Sequence, residues 1–597
     1  MRLRDTLILL LCIIMAAAFL IAAGSQLDFI NAQRKDMKLI INEPLKNAPP
    51  SLAFATVAMG AFRGLVVDIL WIRADRLKQE GQFFDAKQLA EWITILQPRF
   101  PSVWEFQAWN MAYNISVAIP ASQPQERWKW VKNGYELLRD QGIPLNPKSI
   151  LLYRELAMTF QHKISDITDD AHKYYKLQLA MEMEPLLGST DNEYFQKLAE
   201  VPTQWSQITA DANVVRFIEA LKSADAIFQD DEQFPGRYLS LRQNPQRFAP
   251  EAFNVIDDFR NTETLGKFDL FARAYQLRKI WKLDPVLINQ LNQVYGPLDW
   301  DDPNKHLPLN WKHPDTHAIY WAVKGLQVAG KEEYSVNETN TDRIVNHSLQ
   351  SLFRRGKIFI YDTPVQVQPD PSVPPIQKNL KSIFLRPDLR MFETYNHAVL
   401  ATLEKYEKIN KMSHRSLQIG HRNMLKNAIL SFYQAGHIRQ SQQIFKQLKE
   451  LYPRKEFEVP LLTFVRMRLV EELDQIGLKD AKESIMLLLR ESYFRYAVHD
   501  DEEAAGREKM AKEVYQHYKN EYPSPEELKR IGLPDFKLLR YLAMGDFLGD
   551  SQYPANLRRN LLGRIKVEKP DLFEKLVRQE EILLKQQKLQ EQQSENN

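Results

Sequence analysis

The segment His313-Pro314-Asp315-Thr316-His317 places two imidazoles four residues apart, and a helix begun by Pro314 brings them near one face. Neutral imidazoles at that spacing are transition-metal ligands. With a third ligand and an open position they activate water for hydrolysis. His306 and His347 lie nearby in sequence, but spacing identifies neither a third ligand nor a supporting shell. The competing reading is structural, with Asp315 capping the helix and both imidazoles packed on tryptophans.

A second group is His162, Asp166, Asp169, Asp170 and His172. Oxygen ligands in an acidic loop suit a hard cation. This loop lacks the glycine and the terminal glutamate of a calcium loop, and solvated helix caps account for Asp169 and Asp170 more simply. Phosphate-cradling glycine loops, a Gly-x-Ser-x-Gly elbow, a His-Glu-x-x-His pair and a kinase signature do not occur in the sequence. No catalytic, cofactor-binding or metal-binding residue is therefore assigned, and no cofactor is expected.

The elements that carry these residues are helical by pattern. Glycine is scarce, 21 in 597 residues, which favours long helices over barrels or flexible linkers. Hydrophobic residues make up 44% and charged residues 26%, the balance of a folded, water-facing body. The 79 basic and 76 acidic residues leave a net charge of +3 (79 − 76). The two signs are mixed along the chain, so a nucleic-acid partner is not expected. The single cysteine, Cys12, permits neither an internal disulfide nor a cysteine zinc site.

Residues 7–24 contain no charge and follow a short basic start with Arg2 and Arg4. At about 1.5 Å per residue they span roughly 27 Å, close to the hydrocarbon thickness of a bilayer. A cleaved signal peptide ending at Ala22-Ala23-Gly24 competes with an uncleaved anchor. The run exceeds the roughly 7–15 residues of a signal core, which favours the anchor. The expected location is the bacterial inner membrane, single-pass, with the body periplasmic, although Arg34, Lys35 and Lys38 on the far side dilute the charge bias. The apolar stretch Leu52 to Ile72 is interrupted by Arg63 and Asp68 and reads as a buried helix of the body.

Beyond residue 50, apolar residues recur at three and four with proline at the joints. Ala86, Leu89, Ala90, Ile93 and Leu96 line one face, and Pro98 and Pro101 end that helix and begin the next. Leu70 and Ala74 recur 34 residues later as Trp104 and Ala108, with Gly81, Ala86 and Pro98 between. Tyr153, Leu156, Ala157 and Phe160 repeat the first-helix spacing, and Ala171, Tyr175 and Pro185 follow. Leu425, Phe432, Gly436, Ser441, Phe445 and Pro453 form a further set, with Ile429 at a usual small position, and Ala511, Tyr515 and Pro523 fit half a unit.

This pattern resembles the tetratricopeptide-repeat family, in a membrane-anchored bacterial form. The resemblance covers about a third of the chain and implies an irregular α-helical-repeat solenoid that binds protein partners at the membrane; an irregular helical bundle is the alternative. Trp104, Trp109, Trp128 and Trp130 read as core, with one or two available to a peptide in a repeat groove.

The middle differs. Pro297-Leu298-Asp299-Trp300 is echoed by Pro308-Leu309-Asn310-Trp311, two turns expected to tuck tryptophans onto the body. Residues 357–361 are the best strand candidate. The expected organisation is a mostly α chain: anchor 1–24, linker 25–50, repeats 51–190, tryptophan-rich and part-β middle 191–362, proline-rich linker 363–380, repeats 381–571, and a charged, fraying tail 572–597. Function then reads as a non-catalytic scaffold whose partners are proteins and, through residues 7–24, the bilayer. The alternative is a membrane-anchored metal-dependent hydrolase centred on His313 and His317.

Overall fold

The computed structural model describes residues 63–302, 304–328, 335–367, 376–409, 411–475, 481–521, 533–550, 553 and 555–595, with scattered positions between 11 and 33. Most of the anchor expected over 7–24 and of the linker over 25–50 lies outside the described residues. Leu11, Ile14 and Phe19, which are described, are helical and exposed. Among the described residues no helix is long and apolar enough to cross a membrane.

The chain is mostly α and divides into two compact units, the first running to Leu352 with Gly356–Ile358 and the second comprising Phe353–Arg355 and Phe359 onward. Numbering helices of nine residues or more, the first unit opens with α1 (Arg63–Gln79), α2 (Phe83–Leu96), α3 (Pro101–Trp109), α4 (Pro124–Leu137), α5 (Ile150–Met158) and α6 (His172–Met183). It continues with α7 (Asn192–Glu200), α8 (Ala212–Ala224), α9 (Phe234–Gln243), α10 (Pro250–Asp258), α11 (Glu263–Gln276), α12 (Pro285–Tyr295), α13 (Pro314–Val328) and α14 (Val336–Arg355).

The caps follow from sequence. Asp191, Asp211, Thr262, Asp284 and Ser335 each accept a hydrogen bond from an orphan N–H of the helix they precede, and proline opens α3, α4, α10 and α12, where its missing N–H costs nothing.

The small residues of the 34-residue pattern sit where helices touch. Ala74, Ala86, Ala90, Ala108 and Ala157 are buried, as are Leu70, Trp104, Leu156 and Phe160. Gly81, in the turn between α1 and α2, has φ +77° and open space around its Cβ position. Backbone conformation, not crowding, selects glycine there.

Two expectations are corrected in this unit. The helix expected to be buried over Leu52 to Ile72 lies outside the described residues up to 62, and from Arg63 it is only half-buried: Val67, Leu70 and Ala74 face inward, while Leu65, Ile69 and Ile72 are exposed. Of the echoed tryptophans only Trp311 is tucked in, its Nε1 donating to Asn292 Oδ1 at 2.9 Å; Trp300 is 45% exposed. The middle segment packs on the opening helices, with α13 lying along α5, so contacts reach well beyond the nearest neighbours of a simple stack.

In the second unit β1 (Lys357–Val367) and β2 (Ile376–Arg386) form a two-stranded sheet, realising the strand candidate at 357–361. They also occupy both ends of the linker expected over 363–380; residues 368–375 lie outside the described residues. Pro364 is tolerated because each strand of a two-stranded sheet is an edge.

The helices that follow are α15 (Phe392–Glu407), α16 (Lys411–Gln434), α17 (Ile438–Leu451), α18 (Leu461–Gln475), α19 (Ala481–Ala497), α20 (Asp501–Glu521), α21 (Phe536–Gly549), α22 (Ala555–Glu568) and α23 (Pro570–Glu595). Gly436, φ +87°, turns α16 into α17, and Leu425, Ile429, Phe432, Ser441 and Phe445 are buried around that hairpin. Pro523 lies outside the described residues. The tail is helical to Glu595, and Leu572, Phe573 and Leu576 pack on the core of α19–α22.

Candidate interaction surface

Of the residues singled out for chemistry, His313, Asp315, His317 and Asp169 are bound into the interior of the first unit, while His162 and Asp170 are exposed. His317 is fully buried on α13, stacked on Phe160 at 5.1 Å and close to Trp281 and Trp311. Its Nε2 lies 3.0 Å from the Trp311 carbonyl, which can only accept, so Nε2 carries the proton. Burial lowers its pKa to about 4, and the ring is neutral at physiological pH. His313, also fully buried, accepts the Asp315 N–H at Nδ1, 3.2 Å away. Asp315 takes the Ser165 hydroxyl. His306 lies elsewhere, its Nδ1 2.8 Å from the Gly296 carbonyl; burial, with the charge of Arg343, lowers the pKa of His347. Among the described residues no group of three histidine, cysteine or acidic side chains is placed to hold a metal ion.

The second set is scattered. Asp169 is buried, and its oxygens take Arg127 Nη1 at 3.2 Å, Lys163 Nζ at 2.5 Å and the Ala171 N–H at 2.8 Å. Burial works to raise the pKa of its carboxyl, but the Lys163 bond, the Ala171 N–H and the two cations outweigh it and hold it below the usual range. Lys176, fully buried, donates to the Asp166 carbonyl at 3.0 Å and to His172 Nδ1 at 2.8 Å. Three buried cations thus stand around this acidic loop, an arrangement that repels a metal cation. Asp170 is exposed, but the expected solvated caps are not formed: Asp169 is buried in this cluster, and α6 has Ala171 at its N-cap with no side-chain cap hydrogen bond.

What reaches the surface is aromatic. α3, α4, α5 and α11 each run on into a π-helical turn, at Asn110–Ile115, Leu138–Gly142, Thr159–Ser165 and Leu277–Trp281. Such turns are rare and concentrate at functional sites. They meet in pairs: the Arg139 guanidinium lies 5.4 Å over Trp281 beside His317, and the turns of α3 and α5 pack on each other.

The second pair carries a strip. Trp109, 36% exposed, stacks on Tyr113 at 5.4 Å and 16°, and Tyr113 lies 5.8 Å from the exposed ring of His162. Lys78 of α1 sits over Trp109 at 4.6 Å and Phe106 at 5.3 Å, and no carboxylate among the described residues pairs with it. Of the four tryptophans named from sequence, Trp104 and Trp128 are core. Trp109 is exposed, and Trp130, edge-on to exposed Phe84 at 5.5 Å, is half-buried.

Beneath the strip lies Glu155, buried on α5, with Oε1 lacking a hydrogen-bond partner. Burial first, then the charge of Glu105, raises its pKa to about 7 against the pull of Arg154. The Tyr113 hydroxyl, also without a partner, is pushed up by burial and by the charge of Glu155. An acid whose folded pKa is raised contributes stability at low pH that is lost as pH climbs from the unfolded value near 4.5 to the folded value. The loss amounts to roughly 2–4 kcal/mol. Glu155→Gln should match the parent at pH 4.5 and melt higher at pH 8, read by thermal unfolding across that range.

No model of a known protein family matches the chain, and no curated protein matches it.

Proposed function

We propose that the chain is a non-catalytic, membrane-anchored helical-repeat scaffold of the bacterial inner membrane, its body extracytoplasmic, which holds segments of other proteins on the Trp109–Tyr113–His162 strip. The observation that carries this reading is the contrast on one set of helices. His313, Asp315, His317 and Asp169 are buried in internal contacts, while Trp109 and His162, with half-buried Tyr113 between them, reach the surface beside an ammonium that pairs with no carboxylate among the described residues. Tryptophan and tyrosine dominate binding hot spots because they bury much area at small entropic cost. The tetratricopeptide resemblance agrees with the glycine turns at Gly81 and Gly436 and with the alanines at the helix contacts. The exposed apolar positions Leu11, Ile14 and Phe19 agree with a lipid-facing anchor. The hydrolase alternative has less support: Nδ1 of His317 has no hydrogen-bond partner, but among the described residues no group of three histidine, cysteine or acidic side chains is placed to hold a metal ion.

The test is a photo-crosslinking residue in place of Trp109 in the full-length protein in its native membrane, with mass spectrometry of the products. The expected result is a reproducible set of envelope proteins. Trp109→Ala with Lys78→Glu should reduce their capture by about 30-fold, the equivalent of a 2 kcal/mol hot spot, at an unchanged melting temperature. Crosslinks confined to the chain itself would overturn the reading. Stoichiometric metal that disappears in His317→Ala would favour the hydrolase.

A further inference from the structure

From Lys408 to Lys449 the chain carries eight lysines and arginines and three histidines but no aspartate or glutamate. This acid-free stretch forms the hairpin of α16 and α17 in the second unit. At about 100° per residue, Lys411, Arg415 and Arg422 fall within about 40° of arc on α16, and Met412 and Ile419 lie next to them within roughly another 60°. Lys411, Arg415, Arg439 and Lys446 are exposed. Met412 is 83% and Ile419 45% exposed, and Ile409, just before the helix, is exposed as well. Among the described residues the hairpin makes few ion pairs, one of them His437 Nε2 with Glu502 at 3.2 Å. Lys426 lies 3.3 Å from Glu456, and Lys446 lies 3.7 Å from Glu450 with both side chains largely exposed, a contact of little energy.

We propose that the outer face of this hairpin binds the surface of an anionic lipid bilayer. Anionic headgroups supply the charge that the hairpin lacks, and juxtamembrane basic clusters gain from each cation brought to such a surface. The exposed Ile409, Met412 and Ile419 distinguish lipid from nucleic acid. Apolar side chains beside a basic stripe insert at the headgroup boundary, whereas a single-strand binder presents aromatic rings for base stacking. The aromatic residues of α16 and α17, Phe432, Tyr433 and Phe445, are buried. This contact is separate from the expected anchor: it requires anionic lipid, whereas a spanning helix inserts into neutral lipid equally well.

The experiment uses the full-length chain with Cys12→Ser and Met412→Cys, labelled at 412 with an environment-sensitive fluorophore. It is reconstituted into phosphatidylcholine vesicles or into 7:3 phosphatidylcholine–phosphatidylglycerol vesicles. Flotation on the neutral vesicles reports the anchor, and quenching of the label by nitroxide lipids reports the hairpin face. The expected result is quenching at least about twofold stronger on the anionic vesicles, reversed by 0.5 M salt. Lys411→Glu with Arg415→Glu and Lys446→Glu should bring the quenching on anionic vesicles down to that on neutral vesicles. Lys519→Glu with Lys566→Glu should not, all variants retaining the parental circular dichroism. A label that stays solvent-exposed on anionic vesicles overturns the proposal. So does equal quenching on both lipids, or its displacement by an oligonucleotide at concentrations that lipid cannot match.

Discussion

Asp169→Asn destabilises the first unit by about 3–5 kcal/mol, the loss expected when one member of a buried ion cluster is removed and its partners stay behind. The amide keeps the shape of the carboxylate but leaves Arg127 and Lys163 buried without a counter-charge. Their side chains are 7% and 3% exposed, so water cannot replace it. Urea unfolding followed by a signal from the first unit measures the effect. Asp170→Asn, one residue on and exposed, should change stability by less than about 0.5 kcal/mol. Because the Asp169 pKa is depressed, its contribution is complete above the unfolded carboxylate value near 3.9 and is lost as pH falls through the lower folded value. Replacing all three groups by apolar residues of similar volume should recover most of the loss. Lys163 adjoins His162 in the π turn and lies 5.3 Å over Tyr113, so the cluster also fixes one end of the aromatic strip. Asp169→Asn is therefore expected to reduce partner capture as well as stability, a coupling that Asp170→Asn lacks.

Much of this was legible in the sequence where local rules decide. The apolar face at Ala86, Leu89, Ala90, Ile93 and Leu96 became the buried face of α2, and Gly81 and Gly436 became left-handed turns, because three-to-four periodicity and positive φ leave residue-level traces. Burial is not legible where it depends on distant chain. α1 reads as buried from composition, yet Leu65, Ile69 and Ile72 are exposed. Trp300 and Trp311 share a motif and have opposite fates, because only Trp311 meets Asn292. The Asp169 cluster joins residues 42 positions apart through Arg127, and nothing in their spacing announces it. The strip at Trp109, Tyr113 and His162 depends on π turns, each of which adds a residue to a helical turn and shifts the register that a wheel drawn from sequence assumes. A net charge of +3 concealed the acid-free hairpin, since a sum over the chain erases local asymmetry.

Gly506→Ala should be as severe in the second unit. A methyl group built at Gly506 in α20 would lie 1.2 Å from the carbonyl oxygen of Gln434 and 2.2 Å from its carbon. The obstacle is backbone at the end of α16, which cannot turn aside as a flexible side chain would. One of the two helices has to move by more than an ångström, with the buried residues between them. Overpacking a core costs about 1–3 kcal/mol where side chains can adjust, and a backbone collision belongs at or above the top of that range. Gly420→Ala in α16 and Gly545→Ala in α21 are the controls. Both glycines are exposed within helices, and nothing lies within 4 Å of the added methyl. Alanine there should stabilise by about 0.5–1 kcal/mol by restricting the unfolded chain. Opposite signs for the same chemical change, measured by thermal unfolding of the second unit, would attribute the cost at position 506 to helix contact alone. Equal signs would mean that α20 does not approach α16 so closely. The contact bears on lipid binding too, because the end of α16 that Gly506 holds leads through Gly436 into α17. Gly420→Ala, which firms α16 without touching its charges, should leave the anionic-lipid response intact, whereas Gly506→Ala should weaken it by displacing one arm of the basic face from the other.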